Sequence, residues 1–379
     1  MRLLFITGEY PPQPGGVGDY TQRLAQTLTR SGYEVLVLTA VLGRWQLWRA
    51  TVAGDEALVA PDGRASWGVS ASLRLAKLVR QLRPDWCHIQ YQTGAYGMRI
   101  GINLLPLLLK QVNIAVAITY HDLLPPYLFP KAGPLRNWMT LLPARTASAI
   151  VTTNPEDEAV LRAAGLQPHF IPIGANIEPA LPPDYHCARW RAQLGVAPDE
   201  ALIGYFGLLS PGKGVDLLLD LIATHPRWRL LIIGGAATAP TDRAYAATVQ
   251  QRIAASLRDR VIVTGYVTPD QVSAHLSACD IVVLPFRDGA SLRRGSLLAA
   301  LAHGCAVITT PPPSAATAAI LAGAVQFVAA QPEPLASAIA SLLASSTART
   351  RLSDAARTVA RRFNWNTIAN AHRNMYRKP

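Results

Sequence analysis

The chain has 379 residues, half of them hydrophobic and 16% charged, which excludes a mostly disordered protein. It is too long for one ordinary domain and fits two of roughly 100–200 residues. Its net charge of +12 is uneven: from Gly63 to Pro155 ten Lys or Arg face two acids (+8), from Arg349 onward eight face one (+7), and the rest sums to −3. Two basic tracts in an otherwise near-neutral chain point to an anionic partner surface. No RNA-binding motif or zinc finger accompanies them, which argues against nucleic acid. The four cysteines, Cys87, Cys187, Cys279 and Cys305, stand singly, so neither a disulfide framework nor a zinc site is expected. The short apolar run of Met1–Thr7 is not read as a signal peptide. Ala315–Ala330 reads as a buried helix, a glycine stop and a short strand, not a membrane span. A cytoplasmic location is the expectation, with peripheral attachment to the inner face of a membrane.

Strand-like and helix-like segments alternate along the whole chain, the pattern of parallel α/β folding. In the first half, strands are predicted at Leu3–Thr7, Glu34–Thr39, Trp86–Gln90, Ile114–Tyr120, Ala149–Thr152 and His169–Ile173. Helical spacing covers Thr21–Arg30, Leu73–Leu82, Pro134–Ala147 and Glu156–Ala164. A Pro-rich break, Glu178–Asp184, reads as a linker. Beyond it strands are expected at Leu202–Phe206, Arg229–Ile233, Val261–Thr264, Ile281–Leu284, Ala306–Thr309 and Gln326–Val328, and two helices, about Ala348–Arg362 and Asn366–Tyr376, close the chain. The expected architecture is two doubly wound domains, 1–177 and 178–362, facing a cleft, with residues 363–379 as a helix returning to the first domain. Ligands are expected at the carboxyl ends of the strands.

Directly after the first predicted strand comes a loop rich in Pro and Gly, in which Gly15, Gly16 and Gly18 would let a phosphate or sugar approach backbone amides at a helix start. Its glycines come too late for a dinucleotide-binding turn, and no P-loop ending follows; a purely structural turn is the plainer alternative. Another strand ends in Thr119-Tyr-His-Asp122, which aims His121 and Asp122 into the expected cleft. Lys213, flanked by Gly212 and Gly214 at a helix start, is placed to meet a phosphate. The most unusual stretch is Pro285–Gly304. There Arg293 and Arg294 precede Gly295 and Ser296 where a helix should begin, with Ser296 as its expected cap. Two cations at the positive end of a helix repel each other and the dipole unless an anion is near, so this reads as a diphosphate site. Arg44-Trp-Gln-Leu-Trp-Arg49 adds two tryptophans of the kind found at membrane interfaces.

Together these residues resemble the retaining GT-B glycosyltransferases of glycosyltransferase family four. Pro11-Pro12 with Gly15-Gly16-Val17-Gly18-x-Tyr20 looks like the opening loop of that family. His88-Ile-Gln90, Thr119-x-His121-Asp122, Ile171-Pro-x-Gly174, Lys213-Gly214, Gly265-Tyr-Val267 and Ala302-His-Gly-Cys-Ala-Val-Ile308 follow in order, over nearly the whole chain. The resemblance implies transfer of a sugar from a nucleotide-diphosphate donor, with retention of configuration and neither metal nor cofactor. Gly16 would approach the diphosphate, His121 would sit beside the reacting sugar, Lys213 would bind phosphate, and Tyr266 and Val267 would line the base pocket. The acceptor would be a glycan, a lipid-linked sugar or a cell-surface polymer. The family normally carries two glutamates eight residues apart, but those positions hold Ser291 and Ala299 here. Asp288 would replace the first. Leu208 stands where the family has an arginine, a role that would pass to Arg293 and Arg294. The competing readings are a sugar-binding protein without catalysis and a GT-B sugar-nucleotide epimerase.

Overall fold

The structure is a computed structural model and describes residues 1–13, 15–59, 64–125, 133–235 and 240–377. Pro14 of the opening loop, and Gly63 and Lys131 of the first basic tract, lie outside the described residues. The chain divides into two units, Met1–Gly174 together with Asn364–Pro379, and Ala175–Phe363.

The N-terminal unit is built on one sheet of eight strands: β1 (Arg2–Thr7), β2 (Glu34–Val41), β3 (Arg44–Ala50), β4 (Asp55–Leu58), β5 (Trp86–Tyr91), β6 (Ala115–Tyr120), β7 (Ala149–Thr152) and β8 (His169–Phe170). Their order is β4-β3-β2-β1-β5-β6-β7-β8, parallel except for the two antiparallel pairings of β3. Helices α1 (Gly16–Arg30), α2 (Val69–Leu82), α3 (Gly101–Lys110), α4 (Gly133–Thr146) and α5 (Pro155–Ala163) connect them. Successive strand residues point to opposite faces, and both faces of β1, β2, β5, β6 and β7 are covered, so these parallel strands are largely apolar. Leu4 and Ile6 join Leu75, Leu105, Ala144 and Leu161 of α2–α5 in one core. Leu3 and Phe5 join Leu24 and Leu28 of α1 in the other.

Strands β3 and β4 were not expected from the sequence. Leu42 (φ 49°) and Gly43 (φ 75°) form the two-residue left-handed turn that matches strand twist, and Val41 pairs with Arg44. The alternation of Arg44-Trp-Gln-Leu-Trp-Arg49 is therefore a strand pattern. Trp45 is buried edge-on to Trp67, and Trp48 is half-buried beside Tyr10, so this pair is not an exposed interface anchor.

The C-terminal unit holds α6 (Cys187–Gln193), β9 (Ala201–Phe206), α7 (Val215–Thr224), β10 (Trp228–Ile233), α8 (Pro240–Ser256), β11 (Val261–Val263), α9 (Pro269–Ala278), β12 (Ile281–Leu284), α10 (Gly295–Ala302), β13 (Val307–Thr309), α11 (Ala315–Leu321), β14 (Val325–Phe327), α12 (Pro332–Ala344) and α13 (Ser346–Ala360). Its six-stranded sheet, ordered β11-β10-β9-β12-β13-β14, is parallel at every pairing. The order reverses between β9 and β12. At such a switch point the loops after the two strands part and leave a crevice for a ligand. The last helix, α14 (Trp365–Tyr376), packs on α1 in the N-terminal unit. There Trp86 Nε1 donates to the Tyr376 carbonyl (3.1 Å), and the Tyr376 hydroxyl meets His88 Nδ1.

Candidate functional site

In the C-terminal unit the switch point gathers the residues singled out from sequence. The loop after β9 begins at Gly207, whose φ of +139° few side chains adopt. A Cβ there would stand 3.4 Å from Lys213 Nζ, 3.6 Å from Ser296 Cβ and 3.7 Å from the Tyr205 hydroxyl, so these three groups converge on the bare glycine. Gly214 (φ +68°) closes the loop. A Cβ on it would lie 2.3 Å from the Pro285 carbonyl, so only glycine lets the Lys213 loop rest on the segment after β12. That segment supplies Phe286, and the Arg294 guanidinium lies over its ring, 4.0 Å from the centroid.

Arg293 and Arg294 differ. Arg293 is exposed. Arg294 is largely buried, forms an ion pair with Asp288, and has its Nε buried with no partner among the described residues. Burial, followed by the charge of Arg294, pulls the Lys213 ammonium below its ordinary range. Asp242 and Asp288 act on Lys213 in the opposite sense, so two partly desolvated cations share the neighbourhood with two carboxylates, and an added anion would draw on the cations. Helix α10 starts at Gly295, with Arg294 as its N-cap and no side-chain cap bond. Ser296 is thus a buried residue of the first turn and not the cap expected from sequence. Asp288 has a 70% exposed side chain and is held by Arg294. Ala299 is fully buried, so no carboxylate stands at the second expected glutamate position. Gly265 bridges to Gly234 at the end of β10, which brings Tyr266 and Val267 to the same sheet end; the Tyr266 ring is 94% exposed.

In the N-terminal unit the glycine loop is already filled. The Glu9 carboxylate accepts the amide N–H of Val17 (2.9 Å) and Gly18 (3.3 Å), the donors that a phosphate would use at the start of α1. A Cβ on Gly15 would stand 2.2 Å from Glu9 Cδ, and Gly18 packs on the backbone of Glu9 and Tyr10, whereas Gly16 faces open space. Glu9 escaped the sequence reading; a carboxylate directly before a glycine loop and helix was the available signal.

His121 follows β6 and is 8% exposed. Its amide N–H continues the ladder to the Tyr91 carbonyl, and Tyr20 packs edge-on against its ring. Burial, then the nearby His372, pushes its pKa down to about 3, so the imidazole is neutral at pH 7. Its Nε2 lies 3.0 Å from Gln90 Oε1, while Gln90 Nε2 is buried with no partner among the described residues. An orphaned N–H costs more than an orphaned carbonyl oxygen. Exchanging the two amide atoms lets Gln90 donate to Nε2 and leaves the imidazole proton on Nδ1, available as a donor. Asp122 is buried, and its Oδ1 accepts the Leu124 N–H (3.2 Å), which shapes the loop after His121.

Two Rossmann-like domains with these loops define the GT-B fold. Residues 15–174 match the family model described as glycosyl transferase 4-like domain, and residues 200–345 match glycosyl transferases group 1, which makes the chain a protein of the GT-B glycosyltransferase type. It is similar to D-inositol 3-phosphate glycosyltransferase of Xylanimonas cellulosilytica, 29% identical over 62% of this chain and 57% of that one. It is similar also to the lipopolysaccharide core biosynthesis mannosyltransferase LpsB of Rhizobium meliloti, 28% identical over 53% of this chain and 57% of that one. The chain thus matches little more than half the length of these curated relatives. The solved structure of Anabaena HepE in complex with UDP and glucose shares the fold, with a TM-score of 0.70, 20% identity and full coverage of both chains.

Proposed function

We propose that the protein transfers a hexose from a nucleoside-diphosphate sugar to a glycan, lipid-linked or cell-surface acceptor, with retention of configuration and without a metal. The observation that carries the reading is the convergence of Lys213 and Ser296 on the bare Gly207, with the Arg294 charge acting on Lys213. In transfer the anomeric C–O bond to the diphosphate breaks and a bond to the acceptor oxygen forms. The acceptor proton passes to the leaving phosphate, and nucleoside diphosphate departs. Negative charge grows on the leaving oxygens, where preorganised cations act most strongly. Lys213 and Arg294 supply that charge, and the open amides of the first turn of α10 add to it. Tyr266 and Val267 border the base, and Asp288 takes a hydroxyl of the donor in place of the missing glutamates. The N-terminal unit holds the acceptor, and the neutral His121 imidazole gives a hydrogen bond at the reacting sugar.

UDP and glucose in the HepE structure and the mannosyltransferase among the relatives support this substrate class. Calorimetry against a panel of nucleoside diphosphates, followed by assay of the matching sugar nucleotides with and without acceptor, tests the reading. Binding, donor turnover and EDTA-insensitive transfer are expected. Binding of free sugar but of no nucleotide would overturn it.

A further inference from the structure

The first basic tract has a definite address in the fold. Helices α2, α3 and α4 are neighbours on one face of the N-terminal sheet, α2 packed on α3 and α3 on α4. Their sequences hold six cations (Arg74, Lys77, Arg80, Lys110, Arg136 and Arg145) and no Asp or Glu. Among the helices packed on this face, carboxylates return on α5, whose first turn carries Glu156, Asp157 and Glu158; between the helices stand Asp85, exposed, and Asp122, buried. Among the described residues, Arg74, Lys77, Arg80, Lys110 and Arg145 form none of the salt bridges found in the chain and are exposed.

The same layer turns large apolar side chains outward. Val69 and Leu73 on α2 are 51% and 67% exposed, with Leu107 on α3, Val112 just beyond it, and Leu135 and Trp138 on α4 also exposed. On α2 the spacing of Val69, Leu73, Lys77 and Arg80 sets all four along one outer ridge, while Ala71, Leu75 and Val79 face inward. A solvated basic surface needs no apolar ridge, and a phosphodiester backbone gains little from one. An isologous contact with a second copy would set six cations against six. An anionic bilayer satisfies both components at once, because headgroups take the cations while Leu73 and Trp138 enter the interface.

We propose that the outer face of α2, α3 and α4 docks on an anionic phospholipid surface; the proposal rests on the transferase reading only in that a lipid-linked acceptor would be met there. The test is flotation of the full chain with vesicles of phosphatidylcholine alone and of phosphatidylcholine mixed with phosphatidylglycerol, at low and high salt. Binding to the anionic vesicles, lost at high salt, is expected. The triple variant Arg74→Glu, Lys77→Glu, Arg80→Glu should weaken binding about 100-fold, since one cation near such a surface contributes about fivefold. Leu73→Ser with Trp138→Ser should weaken it roughly tenfold. A control triple in the C-terminal unit, Arg351→Glu, Arg361→Glu, Arg362→Glu, should change it by less than about fivefold. All three variants remove exposed side chains, and the single Lys77→Glu serves should the triple melt early. No flotation, equal binding to phosphatidylcholine, or greater loss in the control than in the α2 triple overturns the surface. Duplex DNA binding that outcompetes vesicles and ignores Leu73→Ser with Trp138→Ser would assign the face to nucleic acid and overturn it as well. Donor hydrolysis, measured without vesicles, is expected to be unchanged in every variant. A chain that floats yet turns over no sugar nucleotide keeps the surface and refutes the transferase reading.

Discussion

The starts of α1 and α10 are two glycine-rich helix entrances that met opposite electrostatic fates. At α1 the chain supplies its own anion: Glu9 accepts two first-turn amides, and Gly15 leaves room for its carboxylate. At α10 no side chain caps the helix, and the chain brings two cations to the neighbourhood, one with its ammonium already pulled down. Among the described residues Arg294 pairs with Asp288, whose side chain is mostly exposed. A helix N-terminus attracts anions wherever it occurs. What separates the two is whether the sequence has already filled it, and on that ground the proposed function assigns the donor phosphates to the second and leaves the first a structural role.

The widest gap between the units is expected from His121→Ala, which should lower turnover about 100–1000-fold, the size of one well-aimed donor, and leave nucleotide affinity unchanged. Transfer at the parental rate would remove the N-terminal unit from the chemistry. Arg294→Ala should weaken nucleoside-diphosphate binding about 10–100-fold, from the ~1.5–3 kcal/mol of a charged hydrogen bond. Arg293→Ala, exposed in this structure, should change it less than about threefold by the same calorimetry. Equal losses at both arginines would break the distinction between them. Asp288→Asn frees Arg294 from its internal partner, so nucleoside diphosphate should bind roughly threefold tighter if this ion pair is worth a surface pair or somewhat more. Weaker binding of the diphosphate itself would show that Asp288 positions Arg294 instead of competing for it. Glu9→Gln should cost about 1 kcal/mol of stability in thermal melts, as for a lost helix cap, with nucleotide affinity unmoved. A changed affinity there would mean that the α1 entrance also takes the diphosphate.

Acid should destabilise the N-terminal unit first. Burial holds His121 and His372 at pKa values of about 3 and 4, and His88 well below its ordinary value. The unfolded imidazoles take up protons near pH 6.5, and the folded ones refuse them. Stability is therefore full above that pH and is lost progressively as the pH falls toward 4 and then 3. His372→Leu should flatten the fall in melting temperature between pH 7 and pH 4.5. An unaltered slope would place the acid sensitivity elsewhere.

Most of the parallel strands were legible because an apolar run buried on both faces carries its own label, and Ala149–Thr152 and Ile281–Leu284 fall where they were read. The hairpin of β3 was missed because Trp and Arg side by side look like an interface segment until partner strands decide which residue points inward. Lys213 and Arg294 were legible as charge in an unfavourable place. Gln90, Phe286 and Glu9 were not, since a neutral amide, a ring or a lone carboxylate gains meaning only from its neighbour.

By itself, then, the sequence determined the α/β alternation, the two sheets and the positive charge at the start of α10, because periodicity and charge are local properties of a chain. Only the tertiary structure decided that Arg294 is largely buried and acts on Lys213 while Arg293 is exposed, that Ser296 is a buried first-turn residue and not the N-cap, and that Glu9 has filled the other entrance. Those choices depend on which loops a strand order brings together, and contacts between distant segments are set by packing and not by residue type.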